Sequence, residues 1–456
     1  MRRTTGMKSK NRAIDIALHI ATGLVIITSI VLWIFILTSD QRFSGLNQST
    51  DTDTTHVKNS KSIKDAYLPT EVFGYRNNQL YQLYDSDKNL PLVFSKEFNN
   101  AKIERIKPIF ITKKDYQKFL ANKAYLQLTY PDQITFGIFS SNVSKYKNSE
   151  FNRIFIAQKD GKFKLYAGND LNHRIYEVSL KNGNFDKLLK YAQKSESKTA
   201  VSLIRLSEGY EVSYKNDLTV NVYSYLISNP SDSYFVSRLL GTSGVSSKTA
   251  GNVTTYTAGL YNHLEVPKSN SKDYHNYTYI NYQKSSIPNP NTRLSDSVTY
   301  VHKLGLVEQD LRFFDAEGSS VVYTNYIEGY PVFIKTQGPQ IQIRYSTDNI
   351  TIKFNSTNLQ IPVPFDGRTV KIPKTSTVIK TLQAKGIAKS DIQRMTIGFE
   401  LVRDSAHDSL VDLTPTYYIK IYNHWLSLSE WQNANLAKYR TSTTSSAKGL
   451  NVTREE

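Results

Sequence analysis

The sequence has no cysteine among its 456 residues. That absence excludes disulfide scaffolds, thiolate zinc sites, cysteine nucleophiles and a lipidated N-terminal cysteine together. Negative charge is also in short supply: 40 Asp and Glu stand against 57 Lys and Arg, a formal +17. Catalytic signatures are missing too. The eight His form no H-x-x-x-H or H-E-x-x-H pattern, and His407-Asp408 near Asp404 reads as a solvated turn. Gly241, Gly244, Lys248 and Thr249 sketch a P-loop, but Ser247 stands where that loop requires Gly. No G-x-S-x-G elbow occurs, and no S-x-x-K set. Carboxylate pairs for glycoside hydrolysis are defined by distance in space, and no stretch singles one out. Asp315 and Glu317 flank a turn and read as solvated. The expectation is a protein that is not an enzyme, with no catalytic residue, cofactor or metal.

Long apolar runs are scarce as well. One stretch, from Ile16 to Thr38, is long enough to span a membrane, and His19 is its only ionisable residue. A helix of that length measures roughly 34 Å against a bilayer core of about 30 Å. Arg2, Arg3, Lys8, Lys10 and Arg12 precede it, and Arg42 is the only basic residue just after it. The positive-inside rule then places residues 1–12 in the cytoplasm and the rest outside a single-pass anchor. A cleaved signal peptide is the competing reading, but the run is too long and no A-x-A site follows. Ala17, Ala21, Leu24 and Thr28 fall on one side of this helix. Small residues four apart let helix backbones approach in lipid, so these four form a candidate partner-binding face.

The chain divides on composition. Residues 1–12 are a cytoplasmic stub, 13–38 the transmembrane helix and 39–62 a polar linker. An N-terminal ectodomain at 63–228, a middle domain at 229–336, a C-terminal domain at 337–435 and a disordered tail at 436–456 follow. The 31 Tyr and 20 Phe favour strands. Segments 151–158, 163–168 and 173–180 alternate apolar and polar residues, and Asp160-Gly161 marks a hairpin. Residues 181–196 carry Phe185, Leu188, Leu189 and Ala192 at helical spacing. Residues 219–228 read as strand and the small-residue stretch 241–255 as a loop. A helix is expected over 292–306 with Ser295 or Asp296 near its start, then three strands ending in Gly, a hairpin over 340–354, and a helix over 375–387 stopped by Gly386. Two long strands close the fold. Helices interleaved with hairpins indicate an α+β fold of mainly antiparallel sheets.

Several short blocks resemble the YycH (WalH) regulatory proteins of low-GC Gram-positive bacteria. They are Tyr125-Leu-Gln-Leu-Thr-Tyr-Pro131 with Ile134 and Phe136, then Phe151-Asn-Arg-Ile-Phe-Ile156 with Arg174-Ile-Tyr176. Near the C-terminus, Tyr326-x-x-Gly329-Tyr-Pro-Val-Phe333, Ser376 to Leu382, Ile397-Gly-Phe399 and Pro415-x-Tyr-Tyr-Ile419 through Trp425 look like strands shared with the sister protein YycI. The resemblance implies a three-domain α+β ectodomain whose last two domains are YycI-like. It implies partners as well: YycI and the sensor histidine kinase WalK (YycG), met largely through membrane helices, in control of cell-wall metabolism. No nucleic-acid module is present, since the lysines are spread along the chain. The positive charge leaves a second reading open, an anchored protein that binds or modifies wall polymers, or touches anionic lipid headgroups.

Overall fold

The computed structural model describes residues 62–440, apart from 86–87, 196, 272–273, 285, 307–309, 335–337, 405–406 and 408, together with Thr22. The expected span at 13–38, apart from Thr22, lies outside the described residues, as does the tail from 441. Among the described residues no helix is long and apolar enough to cross a membrane.

The fold is α+β with largely antiparallel sheets, as the pattern of hairpins and helices indicated. The first sheet has nine strands. In spatial order they are Lys102–Ile109, Ile175–Lys181, Lys162–Gly168, Glu150–Lys159, Leu126–Thr135, Glu71–Arg76, Gln79–Tyr84, Ser197–Leu206 and Gly209–Tyr214. At its centre the period-2 pattern is plain. Ile154, Ile156, Leu165 and Ala167 enter one core with Phe94, Phe98, Leu188 and Ala192 of two helices. Phe155 and its cross-strand partner Tyr166 enter the opposite one with Tyr116 and Leu120 of a third. Both faces are therefore covered, which is why the strand Glu150–Lys159 is buried almost throughout its middle. Asp160 and Gly161 both have positive φ, 52° and 71°, the I′ geometry that a two-residue hairpin of this twist requires.

The helix Leu90–Asn100 starts at Asn89, whose side chain accepts from the Leu92 N–H, and buries Leu90, Phe94 and Phe98 at intervals of four. The expected helix at 181–196 is shorter, Asp186–Lys194. The helix expected from 292 begins earlier, at Pro290, because Asn289 caps it and Pro suits the first turn.

The second sheet has fourteen strands, from Val245–Ala250 at one edge to Asn358–Pro362 at the other. It includes strands on both sides of residues 228 and 336. Its spine is the hairpin Ile392–Arg403 with Leu410–Ile421, extended by His424–Ser427. The helix Thr375–Ala384 packs Val378, Ile379 and Leu382 into the same core as Ile397, Ile419 and Trp431.

Three local expectations are corrected. Residues 241–255 are not a loop: Val245–Ala250 and Val253–Ala258 form a hairpin around Gly251 and Asn252, held by β-branched Val and Thr that suit strands. A helix, Asp232–Leu240, follows the Ser231 cap where only a boundary was read. Residues 436–440 are helical rather than tail, with Leu436 and Tyr439 packed on the core and Tyr439 against Trp431 at 5.1 Å.

The two sheets share a continuous apolar core that runs from Tyr67 and Phe151 to Val298 and Phe354. Tyr67 donates to the Leu294 carbonyl and meets Tyr323 at 2.7 Å. Gly137 is needed where the end of the first sheet meets the helix Pro290–Leu304, since a Cβ there would stand 2.0 Å from Asn291 Oδ1.

Candidate functional site

The long hairpin places Arg394 directly opposite Lys420, and Lys420 directly opposite Trp425. Two like charges facing each other across strands repel. They are held because carboxylates from other elements come between them. Asp315 is the centre. Its carboxylate accepts from Arg394 at 3.3 Å, from Lys420 at 3.3 Å and from the Trp425 indole N–H at 2.9 Å. Lys420 also reaches Glu208 at 3.3 Å and Glu317 at 3.4 Å. Arg394 reaches Glu211 at 3.1 Å and Asp132 at 3.5 Å, with its guanidinium over the Trp425 ring at 5.5 Å.

Backbone irregularities aim these groups. The strand Leu126–Thr135 slips register between Thr129 and Ile134, which frees Asp132 to accept the Ala316 N–H at 2.9 Å. The strand Leu311–Glu317 bulges between Phe313 and Asp315, and the hairpin bulges between Ile392 and Arg394. A bulge re-aims a side chain that the regular pleat would send elsewhere. Glu208 sits on the turn joining Ser197–Leu206 to Gly209–Tyr214. That turn is fastened to the hairpin by the Ser207 and Glu208 N–H groups, which donate to Ile392 and Gln393 carbonyls at 3.2 and 3.3 Å.

Electrostatics differ from one carboxylate to the next. Burial alone would raise Asp315, but Lys420 and Arg394 outweigh it and hold the group at about 2. Burial pushes Asp132 up to about 8, because Arg394 offsets it only in part and Asp315 adds repulsion. Burial likewise pushes Glu211 up to about 7 against the pull of Arg394. Lys420 would be lowered by burial, yet Asp315 and Glu208 hold it above the usual lysine range. Among the described residues no group of His, Asp and Glu is arranged to hold a metal ion. Here Arg394 and Lys420 already take the carboxylates' contacts. The arrangement can bind and release protons and can fasten the two sheets together.

The expectation that Asp315 is solvated is thus overturned. It is 3% exposed, since its bulge turns it inward onto two cations. Glu317 keeps more exposure but also meets Lys420. Ala17, Ala21, Leu24 and Thr28 lie outside the described residues. Reading the sequence missed the cluster. The one signal for it was Lys420, a lysine inside the apolar strand end Tyr417–Ile421.

The family model of the YycH protein N-terminal domain matches residues 18–197, and that of the C-terminal domain matches residues 212–433. The chain belongs to the YycH family. YycH proteins are a regulatory family, not one known for an enzymatic activity. The crystal structure of YycH from Bacillus subtilis shares the fold, with a TM-score of 0.67 and 17% identity over 81% of this chain and 98% of that one. No curated protein matches in sequence. The charge cluster joins the two YycH domains. Asp132 lies in the first match, Asp315, Glu317, Arg394, Lys420 and Trp425 in the second, and Glu208 and Glu211 in the stretch between.

Proposed function

We propose that this YycH-family chain is a membrane-anchored, non-enzymatic regulator of the sensor histidine kinase WalK (YycG), acting with a YycI-type protein on cell-wall metabolism. The observation that carries this reading is the match to both YycH domains over most of the chain. The first match begins at residue 18, inside the apolar run from Ile16 to Thr38, which supports treating that run as part of the family's architecture.

The physical route is helix packing. A span that binds one kinase state better than another shifts their populations by the difference in affinity. A coupling of about 1–3 kcal/mol changes the balance roughly 5–150-fold. The proposed contact face is Ala17, Ala21, Leu24 and Thr28, with residues 1–12 cytoplasmic and the folded part outside. Ala21→Leu fills the close approach that small residues permit and is expected to weaken association with the kinase span. A bacterial two-hybrid assay of full-length chains measures it. An unchanged signal removes this face from the proposal, and the absence of a signal for the wild-type chain removes the partner.

A further inference from the structure

The seam between the two YycH domains holds more acid than base. Asp132, Glu208, Glu211, Asp315 and Glu317 surround two cations, Arg394 and Lys420, so full ionisation leaves a formal surplus of three negative charges. Solvent screens the part on Glu208 and Glu317, 31% and 37% exposed, and leaves the buried Asp132 and Glu211 to bear the rest. Buried charge without a partner is costly, and a carboxylate can relieve the cost by taking a proton. Asp315 is not the group that does so, because it touches both cations and the Trp425 indole. Asp132 has a single long ion contact, and Glu211 shares its cation with two other acids. Their side chains are 16% and 18% exposed, enough for solvent to deliver and remove protons.

We propose that this seam is a proton-operated lock. With protons on the surplus carboxylates it seats the Ser207–Glu208 turn on the head of the long hairpin, and without them it releases that seat. The groups facing it come from every packed element. Glu71 and Asp132 are on the first sheet, Glu208 and Glu211 on its last hairpin, Asp315 and Glu317 on the bulged strand, and Arg394, Lys420 and the Trp425 indole on the hairpin and its extension. Arg153 and Asp170 act from further along the first sheet. Release is local, because the shared apolar core still joins the sheets.

The direction follows from proton binding. The seated state holds Asp132 and Glu211 at about 8 and about 7, above their ordinary carboxylate values. It binds more protons than the open state, so the seat is firm below that range and weakens as pH rises from about 4 through 8. The lock goes beyond the kinase reading and stands or falls without it.

The test uses the full chain in detergent micelles. Hydrogen exchange of segments 204–213 and 390–397, corrected for the intrinsic pH dependence, is compared at about pH 5.5 and 8.5. The opening constant is expected to rise about tenfold or more, since each pH unit between the two titration points is worth up to tenfold per proton. Asp132→Asn with Glu211→Gln keeps hydrogen-bonding groups in place without the charge, and is expected to stay seated at both pH values. Equal protection of the wild type at both pH values, or a double variant that opens as the wild type does, overturns the lock. Infrared spectroscopy of the wild type needs no variant. A protonated carboxyl band that disappears between the same pH values is expected, and its absence at the lower pH also overturns the proposal.

Discussion

Two buried charge sites lie in the same molecule and are built on opposite stoichiometries. In the first sheet Arg153 grips Asp170 through Nε at 3.0 Å and a terminal nitrogen at 2.7 Å, with side chains 1% and 0% exposed. Tyr116 and Asn152 donate to the same carboxylate, and Gln127 accepts from Arg153. One cation meets one anion, and neutral groups satisfy the remainder. At the domain seam two cations meet five carboxylates, and the neutral donors there, the Trp425 indole, the Ala316 and Gln133 N–H groups and the Gln393 amide, bring no charge to make up the difference. Burial of the central groups, Arg153 with Asp170 and Lys420 with Asp315, is shared by the two sites. Surplus charge belongs to one, and surplus charge is what makes a buried cluster answer to pH near neutrality.

Removing the cation from the balanced site sets the largest effect. Arg153→Ala leaves Asp170 buried without its counter-ion, and breaking a buried pair from one side costs about 3–5 kcal/mol. The expected outcome is a large drop in the denaturation midpoint, or failure to accumulate folded chain. A midpoint within error of the wild type would show that the pair is not the staple its geometry indicates. Lys420→Met comes next. It matches the apolar volume but raises the surplus at the seam from three charges to four. A loss of about 2–3 kcal/mol is expected at pH 8.5, in line with charge-assisted contacts, and a smaller one at pH 5.5, where orphaned carboxylates take protons. Thermal melts at both pH values check it, and equal losses would erase the contrast between the sites.

The contrast between local and distant information explains what the sequence disclosed. The strands around Asp160-Gly161 and the helix stopped by Gly386 were legible, because alternation and turn chemistry act over a few residues. The helix Asp232–Leu240 carried its signals, Ser231 as cap and Phe235 and Leu239 four apart, but they were masked by the Asn229-Pro230 punctuation. The hairpin at 245–258 was hidden by small residues that resemble loop composition. The seam was illegible for a different reason. Asp132 and Ala316 meet across 184 positions, and the bulges at Thr129–Ile134, Phe313–Asp315 and Ile392–Arg394 leave no fixed spacing to read. Asp315, flanking a turn, has the local look of a solvated acid, and only tertiary structure turns it inward.

The smallest effect tests whether the two regions differ in the sign of their pH response. The helix Lys113–Leu120 carries Tyr116 to Asp170 and begins with a capping box, in which Thr112 accepts from the Asp115 N–H and Asp115 accepts from the Thr112 N–H. Thr112→Ala removes half of that box at a cost of about 1 kcal/mol. Hydrogen bonds from Lys118 and Thr112 hold Asp115 at about 2, so its contribution is complete above the ordinary carboxylate range and fades only as pH falls towards 2. The gap between Thr112→Ala and wild type is therefore expected to be constant between about pH 5.5 and 8.5, while the seam weakens across that same interval. Chemical denaturation at four or so pH values measures both. A Thr112→Ala gap that changes between those limits would mean that protons at the seam reach the first sheet, and that the two charge sites act as one.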